Sequence, residues 1–175
     1  FTLNTCKTIT KLTFVKLDTS TAISGTNFSF DLLFEGKPKE DFKPKIQKFF
    51  ERIAVYCPYL MQYHFTIDTQ NTFPHSSGIA SSASGMAALA MNIMSLEKAL
   101  NPEMTEDFFN QKASFLARLG SGSACRSVKG KVVVWGKHAD IAGSSDLFGV
   151  EFSTEIHPNF INYQDTILLV DKGEK

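Results

Sequence analysis

Apolar and polar residues alternate through much of the first third of the chain, and many of these positions hold β-branched side chains. This period of two predicts strands at residues 2–3, 8–14 and 28–34. Residues 35–38 have the composition of a turn and end the third strand. Another alternating stretch, at residues 64–68, predicts a strand in the middle of the chain.

Helical periodicity, in which apolar residues recur at steps of three and four, marks three later segments. They are residues 46–56, 79–100 and 105–119. Thr105 is followed by two acidic residues and is the predicted N-cap of the third helix. Further strands are predicted at residues 131–136, 150–152 and 166–170.

Composition limits the classes of protein to which the chain can belong. Its 175 residues are enough for one sizeable core, and 43% of them are hydrophobic, so a single globular domain is expected. Lys+Arg and Asp+Glu balance at 18 each, so no net charge favours nucleic acid or an anionic membrane. The apolar runs are too short to span a bilayer and no signal peptide is visible, which makes the cytoplasm the expected location.

Two segments rich in small residues carry the candidate chemistry, and the first is residues 71–90. Small side chains let a backbone approach a ligand closely, and this segment runs from a predicted strand into a predicted helix. N–H groups and hydroxyls at the positive end of a helix suit an anion, most plausibly a phosphate. The alternative is a tight turn with serine caps ahead of a core helix.

The second segment is residues 120–127, Gly-Ser-Gly-Ser-Ala-Cys-Arg-Ser, between a predicted helix and a predicted strand. Its serines offer hydroxyls, and Arg126 offers a planar fork suited to a carboxylate or a phosphate. Taken alone it also fits an irregular loop with a surface arginine. Because both segments lie at helix ends in one domain, each strengthens the binding interpretation of the other.

Other chemistries find little support. The histidines His64, His75, His138 and His157 are scattered and lack metal-ligand spacing. The three cysteines have no CxxC spacing and an odd count, so reduced core residues are expected rather than a disulfide framework. No nucleophile elbow, Walker A motif or GxGxxG motif occurs.

The two segments together resemble a known family. Residues 74–83, PHSSGIASSA, resemble the motif P-x-x-x-G-[LI]-x-S-S-A of the GHMP kinase superfamily. Residues 120–127, with Trp135 downstream, resemble the signature of its mevalonate diphosphate decarboxylase branch. Sugar-alcohol and mevalonate kinases carry a catalytic Asp where this chain has Arg126, which disfavours an ordinary kinase. The ends are similar too, so the resemblance covers essentially the whole chain.

The resemblance implies an α+β fold of the ribosomal protein S5 domain 2-like type, with a mixed or antiparallel sheet packed against helices. Residues 1–175 would be one domain, most of a GHMP-type N-terminal domain without the C-terminal one. The implied reaction is the ATP- and Mg-dependent decarboxylation of (R)-5-diphosphomevalonate to isopentenyl diphosphate, in the cytoplasm. Dimers are common in the family, so a homodimer is an open expectation.

The resemblance also implies roles for single residues. Arg126 would grip the substrate carboxylate and orient the catalytic acid. Ser82 would contact Mg through the ATP phosphates. The expected ATP-binding residues are Pro74, His75, Ser76, Ser77, Gly78, Ala80, Ser81 and Ser82. The expected substrate-binding residues are Ser121, Gly122, Ser123, Ala124, Cys125 and Arg126.

Some features depart from the family pattern. Nothing in the chain matches the family's catalytic Asp, which lies in the C-terminal domain, and the N-terminal Y-W-G-K loop is absent. Asp31 stands near a position where the family usually has Arg. Because the chain also begins at Phe1 within an alternating stretch, we predict a piece of a longer protein that cannot turn over substrate alone. The remaining alternatives are a phosphomevalonate decarboxylase, a mevalonate 3-kinase, or a non-catalytic nucleotide- or polyphosphate-binding module.

Overall fold

The computed structural model describes residues 2–18, 28–74 and 78–168. Its main sheet has four strands in the order β1-β4-β2-β3. Strand β4 pairs antiparallel with β1 and parallel with β2, so the sheet is mixed, as predicted. The four strands are β1 (Thr8–Lys16), β2 (Ser29–Phe34), β3 (Lys37–Pro38) and β4 (Tyr63–Asn71).

The predicted turn at residues 35–38 is a tight hairpin between β2 and β3. Glu35 and Gly36 have φ angles of 53° and 73°, the pair of positive values that a type I′ turn requires. The turn is fixed to β4, because Glu35 N donates to Thr69 O over 2.9 Å and Gly36 N donates to Asp68 Oδ1 over 3.1 Å. The sequence therefore placed the turn correctly at Glu35 and Gly36, whereas Lys37 and Pro38 form the short strand β3.

All three predicted helices are present, and one short helix follows them. The Thr105 side chain accepts a hydrogen bond from Phe108 N over 3.2 Å, which confirms the predicted N-cap. No helix within the described residues is long and apolar enough to cross a bilayer. The helices are α1 (Lys43–Ile53), α2 (Ser81–Leu100), α3 (Glu106–Gly120) and α4 (Pro158–Ile161).

The core lies between one face of the sheet and helices α1, α2 and α3. Alternate residues of β4, Phe65 and Ile67, are buried there, which is the expected result of period-2 patterning. Phe50 of α1 is fully buried and packs edge-on against Phe28 and Phe30. Helices and mixed sheet together confirm the predicted α+β class.

The part of the chain after α3 has less regular structure than its sequence predicts. A 3-10 helix (Gly122–Ser127) leads to a two-stranded sheet of β5 (Val133–Val134) and β6 (Val150–Glu151).

Two predicted strands are wrong where the structure describes them. Residues 2–3 and 166–168 form no strand, and residues 169–170 lie outside the described part. A strand needs a hydrogen-bonding partner, which local alternation does not supply. Leu168 is 84% exposed, and Thr2 N donates instead to Lys131 O over 2.9 Å.

Candidate functional site

Helix α2 begins at a backbone turn made of residues in the left-handed region. Gly78 has φ 82°, and Ala80, the N-cap residue, has φ 54° and ψ 37°. A non-glycine residue in this region costs about 1–2 kcal/mol. Ala80 has no side-chain oxygen, so its side chain caps none of the first N–H groups of the helix. The positive end of α2 is thus left open to an anion.

Hydroxyl groups and one lysine surround this helix end. Ser82 is exposed, and its Oγ is hydrogen-bonded to Lys45 Nζ, which comes from the first turns of α1. Ser84 Oγ lies 2.6 Å from Thr8 Oγ1 and donates to Ser81 O over 3.1 Å. Strands and helices of distant sequence therefore place a cation and several hydroxyls at one point.

Three of the predicted ATP-binding residues, His75, Ser76 and Ser77, lie outside the described residues. Pro74, just before them, is half-buried, and Gly78, just after them, is exposed. The described parts of the loop are therefore residues 72–74, which follow β4, and residues 78–80, which precede α2.

The 120–127 segment is anchored by two buried side chains, and its other described residues are half-buried or exposed. Ala124 is fully buried, and Cys125 is 1% exposed and donates to Gly122 O over 3.1 Å. Ser123 is half-buried, whereas Arg126 is exposed. Any contact of Ala124 and Cys125 with a ligand would therefore run through their backbone.

Burial also decides the chemistry of the Cys125 thiol. It raises the pKa of Cys125, although the nearby Arg126 and Arg118 act in the opposite direction. The thiol is protonated at neutral pH and is a poor nucleophile. The sequence agrees with this, because no convincing catalytic partner for Cys125 can be named in it.

A cavity of about 550 Å³, here called the Arg126 cavity, joins the two small-residue segments. From the first segment it is lined by Ile79, Ala80, Ala83 and Ser84, and from the second by Ser123, Arg126 and Ser127. Lys7 and Thr8 close it on the side of β1. The structure thus brings together two segments that are about forty residues apart in the sequence.

A second cavity of about 300 Å³, here called the Lys45 cavity, lies on the other side of the start of α2. Ser81, Ser82 and Lys45 form polar parts of its wall, and most of the remainder is apolar, including Leu32, Phe34 and Met86. Thr8 lines both cavities. The N-terminus of α2 therefore stands between an apolar cavity and one that contains an arginine.

Sequence reasoning missed several residues that shape these cavities. Lys45 belongs to a helix whose lysines look like a plain solvated face, and Lys7 and Thr8 precede or begin a strand without a motif. Only the fold brings them to the start of α2, so no local signal could have identified them. The sequence singles out Trp135 only by its position downstream of the 120–127 segment. In the structure its Nε1 donates a hydrogen bond to Asp146 O over 2.9 Å.

Asp31, which stands near a usual arginine position of the resembled family, lines neither cavity. It is exposed, and its carboxylate lies 3.3 Å from His64 Nε2 and 3.9 Å from Lys43 Nζ. These partners hold it on the sheet face that points away from the core.

The side chains of His, Cys, Asp and Glu are the usual protein ligands of metal ions. Within residues 2–18, 28–74 and 78–168, no group of three or more His, Cys, Asp or Glu side chains could hold a metal ion.

Comparison with known proteins gives one consistent result. The model of the diphosphomevalonate decarboxylase-like N-terminal domain matches residues 2–147. A diphosphomevalonate decarboxylase of Candida albicans is 45% identical over 118 residues, 67% of this chain and 30% of that protein. One from Ganoderma lucidum is 39% identical over 100 residues, 57% of this chain and 23% of that protein. The chain thus spans less than a third of the length of either relative.

A solved structure agrees with the sequence relatives. The crystal structure of mevalonate diphosphate decarboxylase from Staphylococcus aureus superposes with a TM-score of 0.56 at 29% identity. The match covers 76% of this chain and 35% of that one. Its level of identity and its overlap indicate a shared fold for most of the described residues.

Proposed function

The chain belongs to the diphosphomevalonate decarboxylase-like N-terminal domain family, and from that premise we propose that it forms the substrate- and ATP-binding part of a diphosphomevalonate decarboxylase. One observation carries the proposal: a single cavity is lined both by the start of α2 and by Ser123 and Arg126. Its volume of about 550 Å³ lies within the range of about 300–1,000 Å³ that is usual for small-molecule sites.

The Arg126 cavity would take the substrate. An arginine binds a carboxylate or a phosphate with two parallel hydrogen bonds, which fixes orientation as well as position. Arg126 would hold the carboxylate, and Ser123, with neighbouring N–H groups, would hold the diphosphate; Ser121, which the resemblance also assigns to the substrate, is not part of the described cavity wall. Lys7, in the wall of the same cavity, adds positive charge for a strongly anionic ligand.

The start of α2 would take the ATP phosphates, and the Lys45 cavity would take the base. An anion gains about 0.3–1 kcal/mol at an exposed helix N-terminus, and Lys45 next to Ser82 adds a full charge. The apolar walls of the Lys45 cavity suit a flat, weakly polar ring. Donor and acceptor of the phosphoryl group would then lie on opposite sides of one helix end.

The residues present fit a magnesium ion that is held mainly by ATP. Mg²⁺ usually keeps several waters and binds substrate phosphates with only a few protein oxygens, such as the Ser82 hydroxyl. When bound, ATP supplies the phosphoryl group for the tertiary hydroxyl, and Mg²⁺ neutralises the charge that develops on the phosphates. The chain's own residues orient the two reactants and fix the carboxylate that leaves as CO2.

The described walls of the Arg126 cavity contain no carboxylate. That residues 1–175 alone do not turn over substrate is part of the proposal, and the activity assay below tests it. A cytoplasmic location and a homodimer are parts of the same proposal.

Calorimetric titration tests the binding claim. We expect the chain to bind diphosphomevalonate and Mg·ATP. The substitution Arg126→Ala should lower the affinity for diphosphomevalonate at least tenfold, because a charge-assisted pair is lost. Lys129→Ala removes the same charge from an exposed neighbour and should leave the affinity unchanged. Absence of saturable binding by the unmodified chain would refute the proposal, whereas an unaffected Arg126→Ala variant would refute only the role of Arg126.

An activity assay tests the reaction. A protein that carries this chain together with a C-terminal GHMP domain should release CO2 from diphosphomevalonate only when ATP is present. Binding of both ligands without CO2 release would instead indicate a non-catalytic module.

A further inference from the structure

Ser114 is a polar residue in an apolar place. Across residues 2–18, 28–74 and 78–168, it is the single polar side chain that is fully buried, with 2% of its surface exposed. It lies in α3 next to the fully buried Ala113 and one turn before Ala117. A buried hydroxyl lowers stability unless it is hydrogen-bonded, so its presence among alanines calls for a specific partner.

The partners of Ser114 belong to two other segments. Its Oγ donates to Cys125 O over 2.7 Å and accepts from Gly149 N over 2.9 Å. The hydroxyl therefore connects α3 to the 120–127 segment and to the chain that leads into β6. Both of its bonds are made to backbone, which means that they fix peptide groups rather than side chains.

The three segments are in direct contact at this point. A Cβ at Gly149 would lie 2.7 Å from Cys125 O and 2.8 Å from Val133 Cγ1, closer than real atoms approach. One turn along α3 from Ser114, Arg118 Nε donates to Leu147 O over 2.7 Å. Helix α3 thus holds residues 147–149 against the carbonyl of Cys125.

That carbonyl belongs to the peptide group that joins Cys125 to Arg126. Because a peptide group is planar, a hydrogen bond to its oxygen also fixes the direction of its N–H and of the following Cα. Arg126 is exposed and lines the Arg126 cavity. The orientation of this peptide group sets the direction in which the Arg126 side chain leaves the backbone beside that cavity.

We propose that Ser114 is a positioning residue: it fixes the Cys125–Arg126 peptide so that Arg126 and Ser123 face the bound anionic substrate. This inference rests on the proposed function of the 120–127 segment as the substrate-binding segment. Ser114 is buried and lies outside both small-residue segments. Its loss should lower the affinity for diphosphomevalonate and leave the affinity for Mg·ATP unchanged.

The test compares two ligands on one variant. Ser114→Ala should weaken diphosphomevalonate binding about tenfold in calorimetry, while the affinity for Mg·ATP changes less than twofold, because both of the hydrogen bonds that the structure describes for Ser114 are made to residues 125 and 149. Ser114→Thr keeps the hydroxyl and should recover most of the lost affinity. Ile53→Val, a core change in α1, is the control for lost stability and should leave both affinities unchanged.

A second measurement does not depend on any ligand. In Ser114→Ala, amide hydrogen exchange at residues 121–127 and 147–149 should accelerate about tenfold, with helix α1 unaffected. If the unmodified chain bound neither ligand, the proposed function would be refuted. The hydrogen-exchange measurement would still test whether Ser114 fixes the 120–127 segment. Unchanged exchange, unchanged diphosphomevalonate affinity, or an equal loss for both ligands would each overturn the inference.

Discussion

A buried ion pair between α2 and α3 gives the sharpest test of how this fold is held together. Lys112 Nζ lies 2.6 Å and 2.8 Å from the two carboxylate oxygens of Glu97, and it also donates to Tyr56 O over 2.9 Å. Tyr59 OH donates to Glu97 Oε2 over 2.9 Å. The Lys112 and Glu97 side chains are only 17% and 15% exposed.

The substitution Lys112→Met removes the positive charge and keeps much of the volume. Loss of one partner of a buried pair costs about 3–5 kcal/mol, since the other charge is left uncompensated. Here Glu97 keeps its bond from Tyr59 and some contact with water, so we expect a cost at or just below the lower limit of this range, about 2–3 kcal/mol. With a urea m-value of about 2 kcal/mol/M, the unfolding midpoint should fall by about 1–1.5 M.

The double substitution Glu97→Gln with Lys112→Met separates this reasoning from a simple loss of contacts. A glutamine still accepts a hydrogen bond from Tyr59 but carries no charge. The double variant should therefore be more stable than Lys112→Met, by about 1 kcal/mol or more. Urea unfolding at pH 7 is measured for the unmodified chain, the two single variants and the double variant. A cost below about 1 kcal/mol for Lys112→Met, or a double variant less stable than both single ones, would refute the argument.

Two further predictions concern pH and nucleotide binding. Burial raises the pKa of the Cys57 thiol from 9.0 to about 11, so the unfolded chain loses this proton first. Below pH 9 this group should therefore leave the unfolding free energy unchanged. Above pH 9 the unfolding free energy should fall by up to about 1.4 kcal/mol per pH unit. The variant Cys57→Ala should flatten this slope in urea titrations at alkaline pH. Lys45→Met should weaken Mg·ATP binding about three- to tenfold and reduce its salt dependence, as the removal of one exposed phosphate contact of about 1 kcal/mol implies. Lys48→Met on the same helix is its matched control, and equal effects of both would argue against the role of Lys45.

The sequence determined the elements whose signals are local. Helices α2 and α3, the Thr105 cap and the turn at Glu35 and Gly36 depend on neighbours within a few residues, so periodicity and turn chemistry located them. The two small-residue segments were equally visible, and their resemblance to a family agrees with the family model that matches residues 2–147. The binding roles of their residues stay predictions.

Only the tertiary structure decided which distant residues meet. Residues 166–168 were predicted to belong to a strand, but they form none with any residue that the structure describes, because strand pairing depends on distant parts of the chain. Lys45 reaches Ser82 from another helix, and Thr8 reaches both cavities from an edge strand. Ser114 carries no motif at all; its two backbone partners lie 11 and 35 residues away, and close packing alone brings them within hydrogen-bond distance.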